Sequence, residues 1–212
     1  MRIGVLALHG AVIEHIQTLR SIGVEPVAVR LPADLEGLSG LILPGGESTT
    51  MRKLVVRWNL REPIMALARA GAPILGTCAG MIVVAMEIAG GEEPVFPLLD
   101  VTVERNAFGR QLESFETDLP MPILGDRPVH AIFIRAPIIE RVGPGVEVLA
   151  RLPDQRVVAV RQRNVIAISF HPELAGETRI HRLIATMASE YAEPGEGTGA
   201  KGTEPWSLGE VI

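Results

Sequence analysis

The strongest constraint on this chain is a hydrophobic period that switches back and forth through residues 1–91. Residues 3–8 form an apolar run that stops at His9-Gly10, short enough for a parallel strand buried on both faces. Val12, Ile16 and Leu19 then recur at spacings of four and three, a helix face that Gly23 would end. Residues 26–29, 40–43 and 73–76 repeat the strand signature. Residues 51–56 and 63–70 repeat the helical one, with Pro63 tolerated in a first turn. Residues 81–89 read as one further helix, stopped by Gly90-Gly91. Parallel strands need crossover connections, so this alternation predicts an α/β fold with a parallel sheet. The second half is richer in short β-branched segments, at residues 101–103, 131–134, 146–149, 157–160 and 165–168. Turns are expected at Asp154-Gln155 and Gln162-Arg163-Asn164, and Ile180, Leu183, Ile184 and Met187 outline a last amphipathic helix.

Composition narrows the function classes. At 212 residues and 47% hydrophobic, the chain can bury a core without disulfides or structural metal. Its one cysteine can form no internal disulfide and can supply no zinc ribbon or iron–sulfur cluster. Twenty Lys+Arg against 25 Asp+Glu give a net charge of −5, a poor match to the basic face of a nucleic-acid binder. No apolar run is long enough for a membrane span, and the apolar N-terminal stretch has no cleavage-site pattern. A cytoplasmic protein is expected, where a free thiol persists. From residue 192 the composition turns to glycine and glutamate, so the expected organisation is a domain at 1–191 and a flexible C-terminal tail at 192–212.

The single cysteine lies in Gly76-Thr77-Cys78-Ala79-Gly80, between a predicted strand and a predicted helix. This is a nucleophile elbow with sulfur in place of oxygen. A sharp strand-to-helix turn strains residue 78, and the two glycines remove side chains that would clash around it. A helix start favours thiolate over thiol, and the Ala79 N–H is placed to hold an oxyanion. The bland alternative is an inert buried thiol, which the elbow disfavours.

A cysteine nucleophile needs a base, and five histidines compete. His9, His15, His130 and His181 read as surface or packing residues. His171 follows a predicted strand and opens His171-Pro172-Glu173. In extended backbone, residues two apart point the same way, so Glu173 can orient the imidazole of His171. A third feature, Leu43-Pro44-Gly45-Gly46-Glu47-Ser48-Thr49-Thr50, joins a strand to a helix but lacks both phosphate-loop signatures. It suits a carbonyl oxygen held by backbone N–H groups and a carboxylate facing an ammonium. It also suits a tight turn before a helix capped by Ser48.

Gly-Gly-Glu-Ser-Thr-Thr-Met, Gly-Thr-Cys-Ala-Gly-Met, Val-Glu-Arg-Asn-Ala-Phe-Gly-Arg-Gln and Phe-His-Pro-Glu-Leu occur here in that order. Together they resemble the class I, triad-type glutamine amidotransferases, and within them the glutaminase subunits of pyridoxal 5′-phosphate synthase. The expected fold is a flavodoxin-like three-layer sandwich with a mostly parallel central sheet and a cysteine nucleophile elbow. The resemblance implies Cys78 as nucleophile, His171 as general base and acid, and Glu173 as its orienter. It places Gly46, Glu47, Ser48, Arg105, Ile134 and Arg135 against glutamine, and Ala79 with Gly46 at the oxyanion. It implies L-glutamine as substrate, no metal or bound cofactor, and a synthase subunit as the partner that receives ammonia and switches on the activity. The first strand departs from the family's usual Leu-Gln-Gly, reading Leu8-His9-Gly10.

Two rival readings use the same residues. A γ-glutamyl hydrolase or cysteine peptidase would keep the elbow and change the substrate, although the Arg105 and Arg135 pair and the loop glutamate favour a small amino acid. A regulatory subunit that binds glutamine without cleaving it would have no use for the intact Cys, His and Glu set.

Overall fold

In a computed structural model of the chain, the described residues are 1–105, 107 and 114–192. The expected tail, from residue 193 onward, lies outside them, as do Asn106 and residues 108–111 of the third resemblance segment. The elements are β1 (Arg2–Leu6), α1 (Val12–Ser21), β2 (Glu25–Val29), β3 (Gly40–Leu43), α2 (Ser48–Arg57), α3 (Arg61–Arg69), β4 (Ile74–Thr77) and α4 (Ala79–Val84). They continue with β5 (Ala85–Ile88), β6 (Leu99–Glu104), β7 (Ser114–Leu119), β8 (Val129–Ile134), β9 (Ile138–Val142), β10 (Glu147–Arg151), β11 (Val157–Gln162), β12 (Val165–Ile168) and α5 (Arg179–Ala192).

The main sheet runs β2-β1-β3-β4-β12-β11-β9-β6-β5, with β10 added on β11. Its first five strands are parallel throughout. Their order is the flavodoxin-like doubly wound one, in which ligands bind beyond the carboxyl ends of the strands. The far end is mixed: β12-β11, β11-β9 and β9-β6 are antiparallel, and β5-β6 is parallel.

Strand alternation builds two cores. Leu6, Leu41, Leu43 and Ile74 face one side and pack with Met51 and Val55 of α2, Ile64 and Ala68 of α3 and Met81 of α4. Ile3, Val5, Ile42, Leu75, Ile166 and Ile168 face the other and pack with Leu19 of α1 and Ile180, Ile184 and Ala188 of α5. The result is the expected sandwich of helices, sheet and helices.

Three expectations change. The helix expected at 81–89 ends at Val84; Ala85 turns to extended backbone (φ −68°, ψ 145°) and opens β5, which runs to Ile88. Ala85, Glu87 and Ile88 align with Leu99, Thr102 and Val103, so strand pairing overrides the helical period. Two strands were not expected, β7 and β9. β7 alternates exposed polar and half-buried positions against β8 in a separate two-stranded sheet, and β9 bridges β6 and β11. The two expected turns are present, with Gln155 at φ 72° and Arg163 at φ 55°.

Candidate active site

Cys78 sits where β4 becomes α4, at the carboxyl end of the parallel strands, with φ 50° and ψ −105°. A non-glycine residue held there costs on the order of 1–3 kcal/mol, which the surroundings must offset. They do so with backbone contacts. The Cys78 N–H donates to the Ile168 carbonyl at 2.8 Å. A Cβ on Gly76 would lie 2.6 Å from the Gly80 carbonyl, and one on Gly80 would overlap the carbonyl oxygen of Leu43. Only glycine fits at either position.

His171 arrives beside Cys78 through sheet register. Thr77 pairs with Ile168, so the chain leaving β12 runs past the turn that holds the sulfur. The His171 N–H donates to the Ile132 carbonyl at 2.9 Å. Its Nδ1 lies 2.7 Å from Oε1 of Glu173, and both residues are buried. Burial alone would pull His171 down. Hydrogen bonds to Cys78 and Glu173, together with their negative charge, outweigh it and raise the imidazole to about 10. His171 therefore carries its proton at neutral pH.

A cavity of about 170 Å³ opens on the other side of the sulfur, lined by Gly46, Glu47, Ser48, Cys78, Ala79, Ile82, Arg105, Ile134 and Arg135. A larger hollow of about 500 Å³ between β7 and β10 has no cysteine, serine or threonine in its lining. Every binding residue expected from sequence thus lines one small cavity, against the sulfur. Ile82 was not expected there; it is one turn beyond Cys78 on α4 and supplies an apolar wall.

The capping role expected of Ser48 falls to the loop glutamate. Glu47, not Ser48, caps α2: its carboxylate accepts from the Thr49 N–H at 3.0 Å and from the Thr50 N–H at 2.7 Å. Ser48 is the first helical residue and is buried. From the N-cap position the Glu47 carboxylate reaches forward to the first-turn N–H groups, a place that Ser48, already helical, does not occupy. Burial is the largest single influence on Glu47 and opposes its charge, but these backbone and hydroxyl donors together outweigh it and hold its carboxyl down at about 2. Glu47 also meets Arg105 at 3.3 Å, and Arg105 meets Glu92 at 2.5 Å. Glu92 in turn holds Arg52 at 2.8 Å. Arg105 is therefore aimed along the cavity by two carboxylates. Arg135 stands at the end of β8 with φ 44°, and the Cys78 thiol lies 3.8 Å from the neighbouring Ile134 carbonyl.

Three buried polar groups behind the pair were not singled out: Thr77, His15 and His181. The two histidines were readable as packing residues from their places on the apolar faces of α1 and α5, beside Leu19 and Ile184.

A doubly wound sheet with a cysteine on a strained strand–helix turn, beside a His–Glu pair and a small polar cavity, is the arrangement expected of the triad-type class I glutamine amidotransferases. The comparisons with known proteins agree. The model of the SNO glutamine amidotransferase family matches residues 5–190, and the chain belongs to that family. It is 52% identical over 187 residues to the pyridoxal 5′-phosphate synthase subunit PdxT of Moorella thermoacetica, covering 88% of this chain and 99% of that protein. It is 55% identical over 182 residues to the corresponding subunit of Pelotomaculum thermopropionicum, covering 86% and 92%. A crystal structure of a glutamine amidotransferase superposes with a TM-score of 0.83 at 48% identity, covering 88% of this chain and 98% of the other.

Proposed function

We propose that this chain is the glutaminase subunit of a pyridoxal 5′-phosphate synthase, hydrolysing L-glutamine to L-glutamate and ammonia. The observation that carries the reading is the placement of Cys78 between the His171–Glu173 pair and a cavity lined by Arg105 and Arg135. Arginine is the side chain suited to a free α-carboxylate. The cavity is small, which suits an amino acid better than a peptide and disfavours the peptidase alternative.

In this mechanism the sulfur of Cys78, ion-paired with the His171 imidazolium, attacks the side-chain carboxamide carbon of glutamine. The tetrahedral oxyanion is held by the N–H groups of Ala79 and Gly46. His171 gives its proton to the departing nitrogen and ammonia leaves. His171, now neutral, takes a proton from water as that water attacks the γ-glutamyl thioester. Glutamate is released and the ion pair is restored. Glu173 holds the imidazole in register throughout. Ammonia passes to a synthase subunit, the partner implied by the relatives' names. The reading includes a cytoplasmic location; no described helix is long and apolar enough to cross a membrane. It also takes residues 1–191 as the amidotransferase domain and 192–212 as an appended tail.

The test is release of glutamate from glutamine by purified protein, with and without the cognate synthase. Release is expected mainly with the synthase, and Cys78→Ala is expected to abolish it. Full activity in Cys78→Ala, or no release with the synthase present, would sink the reading.

A further inference from the structure

Behind Glu173 lies a layer of buried side chains for which the hydrolytic mechanism has no use. His15 on α1, Thr77 at the end of β4 and His181 on α5 are all fully buried. Nε2 of His15 is 3.1 Å from Oγ1 of Thr77 and 3.6 Å from Oε1 of Glu173. Its Nδ1 is 2.9 Å from Nε2 of His181. One imidazole thus joins the first helix, the residue before Cys78, the carboxylate beside His171 and the last helix.

Both rings are neutral at neutral pH. Burial, then the proximity of His181 and His171, keeps His15 well below the ordinary histidine value. Burial also pulls His181 down to about 4, against the upward pull of the Glu177 backbone and carboxylate. A neutral imidazole offers one donor and one acceptor, so the direction of the chain is a structural property. Glu173 sets that direction. Its Oε1 already bonds His171, and its buried Oε2 has no partner among the described residues. A buried carboxylate short of donors is costly, and Nε2 of His15 approaches its Oε1 at 3.6 Å, beyond hydrogen-bond distance but close enough for the charge to favour an N–H turned toward it.

We propose that His15 is a positioning residue: its Nε2–H, bonded to Thr77 and turned toward the carboxylate oxygen 3.6 Å away, steadies Glu173 against His171 by charge and ties it to the strand end that carries Cys78. His181 completes the arrangement by donating its Nε2–H to Nδ1 of His15, which fixes that tautomer. The inference rests on the glutaminase reading, in which His171 and Glu173 act as a unit. His15 is not in the lining of the glutamine cavity. Its loss is therefore expected in turnover and not in ground-state binding.

The experiment compares wild type, His15→Leu, His15→Gln and Cys78→Ala in complex with the synthase, by steady-state glutaminase kinetics. Misplacing an acid–base pair predicts a kcat lower by roughly tenfold to a hundredfold in His15→Leu, with KM nearly unchanged. His15→Gln keeps a donor at the reach of Nε2 and is expected to recover most of the lost kcat. A folded His15→Leu protein with wild-type kcat overturns the proposal, and so does an equal loss of kcat in both variants. Nitrogen-15 NMR of the wild-type imidazoles provides a check that needs no variant. The expected result is a protonated Nε2 and a bare Nδ1 on His15; the opposite tautomer overturns the proposal even if His15→Leu fails to fold. Wild type that turns over no more glutamine than Cys78→Ala refutes the glutaminase reading instead, and the NMR result still decides the position of the His15 proton.

Discussion

The buried His181 makes stability depend on pH in a way that can be worked through. Its folded value is about 4, against 6.5 for an ordinary histidine. At pH 5 the unfolded ring is almost fully protonated and the folded ring almost entirely neutral, so the unfolded state binds about one proton more. Stability contributed by this group is therefore complete above about pH 6.5 and is lost as pH falls toward 4. Between pH 7 and pH 5 the two values give a ratio of about twenty, or about 2 kcal/mol. His15, lowered in the same direction, adds to the loss. The perturbation that isolates the His181 share is His181→Gln, whose amide can still meet Nδ1 of His15 but does not titrate. Urea denaturation at pH 7, 6 and 5, followed by circular dichroism, gives the unfolding free energy of each protein. The wild type is expected to lose about 2 kcal/mol more than the variant over that range. Parallel losses in the two proteins would refute the claim that His181 is held neutral by burial.

Three further outcomes follow from the geometry. Gly80→Ala places a Cβ on the Leu43 carbonyl oxygen and is expected to lower the melting temperature severely. Gly23→Ala, with open space around it but φ 78°, is expected to cost only about 1–2 kcal/mol; equal melting temperatures would contradict the backbone-packing account. Arg105→Gln is expected to raise KM for glutamine about tenfold or more with kcat little changed, since it removes a binding charge and no proton-transfer group; a fall in kcat at constant KM would contradict the assignment. With His171 raised to about 10, its acid form is present through the neutral range and is lost only as pH rises through that value. The kcat/KM profile, which reports the free enzyme, should then show no loss of the His171 acid form between about pH 7 and 9, and a decline centred near an ordinary histidine value would contradict the raised imidazole.

Much of this architecture is legible in the sequence because the parallel half obeys local rules. Continuous apolar runs at residues 3–8, 40–43 and 73–76 become β1, β3 and β4 because helices cover both of their faces. The antiparallel half is less legible. β5 continues the apolar period of α4 and becomes a strand only through its pairing with β6, from which ten residues separate it. β7 carries Glu116 and Asp118 on its exposed face, a polar pattern that reads as a loop until β8 is seen beside it. At the site, residue types and spacing pointed to the convergence of Cys78, His171 and Glu173. The capping role of Glu47 was hidden because Ser48 is the commoner cap. The His15–His181 contact was hidden because the two residues are 166 positions apart.

The two parts of the active site differ in what holds them. The loops at the carboxyl ends of β1, β3 and β4 are stacked backbone on backbone. A Cβ on Gly10 would overlap the Gly45 carbonyl, one on Gly45 would overlap the ring of His171, and one on Gly46 would lie 3.0 Å from Gly10 Cα and from the His9 ring. The Ala11 N–H donates to the Gly45 carbonyl at 3.0 Å, which pins the middle loop to the first. Turning the Gly45–Gly46 peptide must break that bond, so the orientation of its N–H groups is coupled to residues 9–11. His9, where the family usually has glutamine, is exposed against Gly46 at this junction. The His171–Glu173 pair, by contrast, is held from behind by buried side chains. A change at residues 9–11 is therefore expected to alter oxyanion binding without disturbing the imidazole, whereas a change at His15 should do the reverse. Measuring both kinds of variant on one enzyme separates the two supports.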